Sequence, residues 1–264
     1  MLPHNKRAHF QKKEGRLVHL FHKPDAQFWD NSWKKDTKSL RIKETFVLRE
    51  TNRFLSPPAR VLDAGCGQSH TVFSLHHAGY QAFGIDWAES TIDFVNQAAP
   101  ELNVTLGDVR DLSSFERDSL DGYWSLGVIE HFPKGFDEIL NEMHRVLVKG
   151  GYAFVTVPSM SPIRNMKVRC NRYPDFDGNW TSFYQFVYQP SFIIESFEKR
   201  GFQLITSKPR GGLKGLKDEV FPKSRLLQGL YETQSPPWRF FKQCVNLMLN
   251  PFTFHTRLYV FRKK

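Results

Sequence analysis

Long apolar runs are missing from this 264-residue chain. No stretch approaches the ~18 consecutive apolar residues that a membrane-spanning helix needs. The opening MLPHNKRAHFQKK has no apolar centre, so no secretory signal is expected. Cysteine is scarce: Cys66, Cys170 and Cys244 are scattered, with no CxxC pair and no even framework. That excludes a disulfide scaffold and points to a reducing compartment without structural zinc. Internal repeats and low-complexity tracts are absent as well. What remains is 40% hydrophobic and 24% charged, enough to bury a core and too apolar for a disordered chain.

Charge is unevenly spread. Residues 1–60 carry 14 Lys/Arg against 6 Asp/Glu, residues 61–158 carry 5 against 14, and residues 159–264 carry 18 against 7. An acidic middle between basic flanks suggests a core with differently specialised ends. Basic flanks favour anionic partners such as phosphorylated small molecules, lipid headgroups or nucleic acid. They serve solubility equally well, and both readings stand. No recognised nucleic-acid-binding module accompanies the charge, so nucleic acid ranks below the others.

The middle reads as strand and helix in alternation. Arg60–Cys66 is a short β-branched run ending in glycines, Gln68–Ala78 allows a helix stopped by Gly79, and Gln81–Trp87 is the next strand. Ser90–Ala98 has a Ser cap and helical spacing. Asn103–Val109 and Leu120–Gly127 give two more strands, Phe136–Leu147 a helix, and Tyr152–Val157 a fifth strand. Such alternation implies a parallel sheet covered on both faces, with ligands at the carboxyl ends of its strands. Beyond it, Ser191–Lys199 is expected as a helix, Phe202–Ser207 and Thr256–Phe261 as strands, and Gly211–Phe252 as short amphipathic pieces.

Chemistry gathers at the strand ends. The first strand closes on Asp63-Ala-Gly65-Cys-Gly67, where glycines let the backbone turn and approach a ligand closely. A dinucleotide fingerprint would place a third glycine at position 70, which is His70 here. The second strand ends in Asp86, a carboxylate able to accept both hydroxyls of a ribose, with Trp87 beside it for a flat base. The third ends in Gly107-Asp108-Val109, an acid for an exocyclic amine and an apolar cover for a ring. Singly, each acid is more often an exposed turn residue; three on consecutive strand ends are unlikely by chance. Cys66 reads as a small buried filler.

VLDAGCG, GIDWAES, GDVRDL, SLDGYWSLGVIEHF and RVLVKGGYAFVTVP, in this order and spacing, resemble the class I S-adenosylmethionine-dependent methyltransferases. The match is close over residues 55–158 and loose towards the C-terminal strands. The resemblance implies an α/β fold: a Rossmann-like, seven-stranded, mostly parallel sheet with its last strand antiparallel and helices on both faces. S-adenosylmethionine would be the cofactor and S-adenosylhomocysteine the product. Asp63, Gly65 and Gly67 would hold the methionine part, Asp86 the ribose, and Asp108 with Val109 the adenine; Trp87, also a cofactor candidate, would pack on the flat base or serve as core or rim packing. Ser125 to Gly127 would line the methyl-donor site, with Glu130 and His131 just beyond. SLGVIEHF, the aromatic run Phe183–Tyr188 and Gly201-Phe202 further resemble bacterial methyltransferases of polysaccharide and lipid-linked sugar pathways. More distant are ubiquinone-pathway O-methyltransferases, which carry an extra Glu three positions before their Glu-His pair. Gly127 stands there in this chain, and no metal site is expected.

The expected organisation is a basic helical lid segment at 1–54, a donor-binding core at 55–158, and an acceptor-side insertion with the last helix and two strands at 159–264. An alcohol acceptor needs a base, for which His131 is the candidate, with Glu130 beside it; holding the loop together is the competing role for both. Tyr173, Trp180, Tyr184 and Tyr188 offer aromatic faces for an acceptor or a lid. Arg164, Lys167, Arg169 and Arg172 offer cations for phosphate or a solvated face. His4, His9, His19 and His22 are expected at the surface. Arg16–Lys23 and Trp238–Leu249 have the composition of membrane-surface segments, shared by helices that cover a sheet. The expected activity is O-methylation of a small or lipid-linked carbohydrate-type acceptor, in the cytoplasm or at the inner membrane face. An N-methyltransferase or a noncatalytic adenosyl-binding scaffold are the alternatives, and a nicotinamide oxidoreductase ranks last.

Overall fold

In the computed structural model, residues 7–33, 44–233 and 236–264 are described; His4 lies outside them. A seven-stranded sheet dominates. Its strands are β3 (Arg60–Ala64), β4 (Gln81–Asp86), β5 (Asn103–Leu106), β6 (Leu120–Leu126), β7 (Leu147–Pro158), β9 (Phe202–Arg210) and β10 (Thr256–Lys263). They lie in the order β5-β4-β3-β6-β7-β10-β9. Neighbours from β5 to β7 run parallel, and the last strand of the chain, β10, is antiparallel to both β7 and β9. This is the expected Rossmann-like arrangement.

Alternation along each strand builds two cores. Leu62, Tyr123, Val155 and Tyr259 point into one, while their chain neighbours Val61, Trp124, Phe154 and Leu258 point into the other. Helices α3 (His70–His76), α4 (Glu89–Ala98) and α5 (Asp137–Val146) connect the parallel strands. Helix α5 buries Ile139, Leu140, Met143 and Val146, with acids in its first turn and Arg145 in its last, each opposing the helix dipole. It ends at Val146, and β7 starts at once and runs straight through Gly150-Gly151, so it is longer than the strand expected from Tyr152 onwards.

The flanks differ most from expectation. The N-terminal segment, expected as a helical or lid segment, holds a hairpin of β1 (Arg7–Gln11) and β2 (Arg16–Leu20). Strand β2 pairs with β8 (Phe183–Val187) to complete a separate three-stranded sheet. Arg16–Lys23 is thereby removed from the membrane-surface candidates, because Leu17 and Val18 are fully buried in that pairing. His19, expected at the surface, is buried too, its Nδ1 3.4 Å from Gln185 Nε2. Two short helices follow: α1 (Ala26–Ser32) and, preceding β3, α2 (Thr45–Thr51). Towards the C-terminus come α6 (Pro162–Arg169), α7 (Pro190–Glu198), α8 (Gly212–Glu219), α9 (Arg225–Glu232) and α10 (Pro236–Thr253).

Candidate functional site

The carboxyl ends of β3, β4 and β6 open on a cavity of about 400 Å³. Its floor is the turn after β3. Gly65 and Gly67 have φ of 85° and 47°, a left-handed backbone that favours glycine. Neither has room for a side chain: a Cβ on Gly65 would lie 2.5 Å from Val128 Cγ2, and one on Gly67 2.9 Å from the Trp33 ring. Cys66 between them is buried, and that burial pushes its thiol pKa well up, as a packing residue requires.

Two acids meet here in different states. Asp86 is buried at the end of β4, where Oδ2 accepts from Gly67 N at 2.8 Å and Oδ1 from Ala88 N at 3.0 Å. Burial raises its pKa against those hydrogen bonds. Each oxygen keeps a further lone pair, so the carboxylate braces the glycine turn and can still accept from a ligand diol. Asp63 is more deeply enclosed. Burial pushes its carboxyl up to about 8, with Thr71 opposing and the charges of Asp86 and Glu44 adding to the rise. Its Oδ1 has no hydrogen-bond partner among the described residues. A buried, unpartnered carboxyl oxygen on a cavity wall fits a cationic ligand group, since a partner there would remove the desolvation penalty.

Gly127, Val109 and Trp87 also line the cavity. Trp87 lies against Phe132 with ring centroids 5.9 Å apart. Asp108 and Ser125 do not line it. Asp108 is clamped by Arg110, whose Nε and Nη2 both reach the carboxylate, and this pairing lowers the acid's pKa despite partial burial. Ser125 is buried within β6.

His131 closes the far side from the one-turn helix Ile129–His131. Its Nδ1 lies 2.7 Å from the Tyr184 carbonyl oxygen. A carbonyl only accepts, so Nδ1 carries a proton, and when the ring is neutral its lone pair is on Nε2. Tyr184 packs its ring edge-on to the imidazole at 4.9 Å, and burial pushes its phenol up to about 12, with Glu130 adding to the rise. Glu130 is buried beside Gly127, away from the cavity lining.

Arg164 and Tyr188 are elsewhere. Arg164 is fully buried, donating from Nε to Glu219 Oε1 at 2.8 Å and from Nη1 to the carbonyls of Ser159 and His255 at 2.8 and 3.0 Å. Those donors fasten α8 to the end of β7, so they are not offered to an acceptor phosphate. Tyr188 is a fully buried core ring stacked on Phe192.

Sequence reasoning missed the roof. Trp29 and Trp33, one helical turn apart, stack at 5.9 Å and line the cavity, and Trp29 meets the His131 ring edge-on at 5.1 Å. Asp30 fastens α1 to the start of α4: Oδ1 accepts from Thr91 N and Oγ1, both at 2.8 Å, and Oδ2 from Ser90 N at 3.3 Å. The i, i+4 tryptophan pair was the available signal.

Residues 62–155 match the family described as "Methyltransferase domain". A "Probable S-adenosylmethionine-dependent methyltransferase" of Mycolicibacterium smegmatis is 29% identical over 101 residues, which is 38% of this chain and 38% of that relative. Among solved structures, a SAM-dependent methyltransferase from Archaeoglobus fulgidus is similar with a TM-score of 0.55, 18% identity and coverage of 86% of this chain and 95% of that one. Geranyl diphosphate C-methyltransferase from Streptomyces coelicolor is similar with a TM-score of 0.54, 13% identity and coverage of 94% and 91%. The [4+2]-cyclase SpnF reaches 0.55 at 15% identity, covering 93% and 86%, so the fold alone does not name the reaction. The matched domain and the curated relative support an S-adenosylmethionine-dependent methyltransferase with S-adenosylmethionine as cofactor. The solved structures support the fold.

Proposed function

We propose that this protein is an S-adenosylmethionine-dependent O-methyltransferase acting on a small or lipid-linked carbohydrate-type acceptor. The observation that carries the reading is one cavity holding the buried acids Asp63 and Asp86 together with His131, whose Nδ1 is committed to the Tyr184 carbonyl. When bound, S-adenosylmethionine supplies a methyl group activated on a sulfonium. The protein's own share is to align the acceptor with it and exclude water, since in-line transfer depends on positioning.

Asp63 and the glycine turn hold the donor's amino-acid end, and Asp86 holds the ribose. Val109, Trp87 and Phe132 pack on the apolar parts. His131 takes the acceptor hydroxyl's proton at Nε2, and the Tyr184 carbonyl stabilises the imidazolium through Nδ1–H. Phe28 and Tyr184 stand edge-on at 5.8 Å, with Trp29 beside Phe28 at 5.1 Å. Aromatic faces around a base suit the flat apolar side of a sugar ring.

The test incubates the protein with methyl-labelled S-adenosylmethionine and fractionated bacterial extract. Label is expected in glycan or lipid fractions, falling about 10²–10⁴-fold with His131→Ala. Label in RNA or protein contradicts the acceptor class. Undiminished transfer by His131→Ala contradicts the base and favours an amine acceptor, which needs none.

A further inference from the structure

Helix α10 is mounted inside out. Its exposed positions include Phe240, Phe241, Cys244, Leu247, Met248 and Phe252, an apolar stripe at helical spacing, with Gln243 and Pro251 exposed among them. Phe240, Leu247 and Met248 are 72%, 67% and 76% exposed, which no folded core explains. The polar stripe faces inward. Asn250 Oδ1 accepts from Gly212 N at 2.8 Å and Asn246 Oδ1 from Leu213 N at 2.9 Å, so the two asparagines cap the start of α8. Thr253 Oγ1 donates to the Gly212 carbonyl oxygen at 2.8 Å.

Two glycines lock this orientation. A Cβ on Gly215 would lie 1.5 Å from the Thr253 carbonyl oxygen, and one on Gly212 2.7 Å from Asn250 N. The helices therefore meet backbone to backbone, and α10 cannot turn its apolar stripe inward without losing that contact. Arg164, Lys167 and Tyr173 hold α8 in turn, through Glu219.

Charge says what faces the stripe. The eighteen residues of α10 contain no acid, and of its two cations, Arg239 and Lys242, the latter is held by the end of α9, its Nζ donating to the carbonyl oxygens of Tyr231 and Thr233 at 2.9 and 2.6 Å. The neighbouring acids of α8 are already paired, Asp218 with Lys214 and Lys217 and Glu219 with Arg164 and Lys167. Lys223, just before α9, and Arg225, its first residue, are exposed, as are Phe221 and Leu226 beside them. A long apolar stripe with aromatic residues, cations and no acid is what an anionic lipid surface binds. Among the described residues no helix is long and apolar enough to cross a membrane, so the stripe would rest on the bilayer and not span it.

We propose that the exposed face of α10 docks the protein on anionic membrane surfaces, bringing the cavity to acceptors carried by lipid. The test is flotation with vesicles of phosphatidylcholine alone or with phosphatidylglycerol, comparing the wild-type protein with Phe240→Ser/Leu247→Ser/Met248→Ser. These side chains are exposed, and retained S-adenosylhomocysteine binding verifies the fold of the variant. Wild-type protein is expected to float with the phosphatidylglycerol vesicles and much less with phosphatidylcholine alone. The triple variant is expected to bind at least about tenfold more weakly. Equal binding by both proteins, no preference for the anionic vesicles, or no flotation at all overturns the proposal. So does a wild-type dimer in light scattering that the triple variant lacks, which would give the face to a second copy of the chain. Because no methyl acceptor is needed, this outcome is separable from that of the acceptor assay.

Discussion

Asp30→Ala isolates the roof of the cavity from everything beneath it. Helix α1 has no fully buried side chain, so its docking rests on a small free-energy balance. Asp30 contributes three hydrogen bonds to that balance, all to the first turn of α4. Removing such a cap costs about 0.5–2 kcal/mol, and a carboxylate at a helix N-terminus belongs to the same range. Taking about 1–2 kcal/mol, the docked-to-undocked ratio falls roughly 5–30-fold at about 1.4 kcal/mol per tenfold. Trp29 and Trp33 leave the cavity wall when α1 undocks, so calorimetric titration is expected to show S-adenosylhomocysteine binding weakened by up to that factor. Thermal stability should barely move, because α1 contributes nothing to either sheet core. Near neutral pH the latch is insensitive to pH. Burial opposes ionisation of Asp30, but the bonds from Thr91 and Ser90 outweigh it and hold the pKa below its ordinary value. A depressed carboxylate loses its contribution only as the pH falls through that lowered value. Affinity within twofold of wild type would refute the latch.

Two further predictions concern the acids and the arginine. Asp63, with a pKa near 8, holds its proton in the free protein at neutral pH, and pairing with the donor's ammonium requires its release. Donor affinity should therefore rise as pH goes from 6 to 8 and level off above, with proton release seen in buffers of different ionisation enthalpy. Asp63→Asn should abolish that release, and an unchanged proton count would refute the assignment. Arg164→Ala removes one of the two cations on buried Glu219, whose pKa is held down at about 2, and leaves Lys167 and Tyr173 as its remaining partners. Unfolding free energy should drop by about 1.5–3 kcal/mol, the worth of a hydrogen bond to a charged group, while donor affinity is unchanged; lost acceptor binding without destabilisation would restore Arg164 to an acceptor role.

The donor half was legible because its chemistry is local. Glycines 65 and 67 announce a left-handed turn, and each acid ends a short β-branched run whose neighbours repeat the pattern. The roof was not. Asp30 acts on Thr91 across 61 residues of sequence and Trp33 on Gly67 across 34, and the i, i+4 tryptophan pair reports neither of those partners. Arg16–Lys23 misled because a basic, apolar octapeptide satisfies an interfacial helix and a buried strand alike; pairing with Arg7–Gln11 and Phe183–Val187 decides for the strand. Arg164 misled in the same way, since a cation on a helix gives no sign of the acid, 55 residues later, that buries it.

The central claim is that the cavity at the strand ends binds S-adenosylmethionine through Asp86 and the glycine turn it braces. Titration of the wild-type protein and of Asp86→Ala with S-adenosylmethionine tests it directly. Hydrogen bonds to a charged group are worth about 1.5–3 kcal/mol each, and the substitution removes two from a ribose diol as well as the brace on Gly67. One-to-one binding by the wild type, weakened about a hundredfold or more in Asp86→Ala, is the predicted result; no binding by the wild type, or equal binding by both, would contradict it.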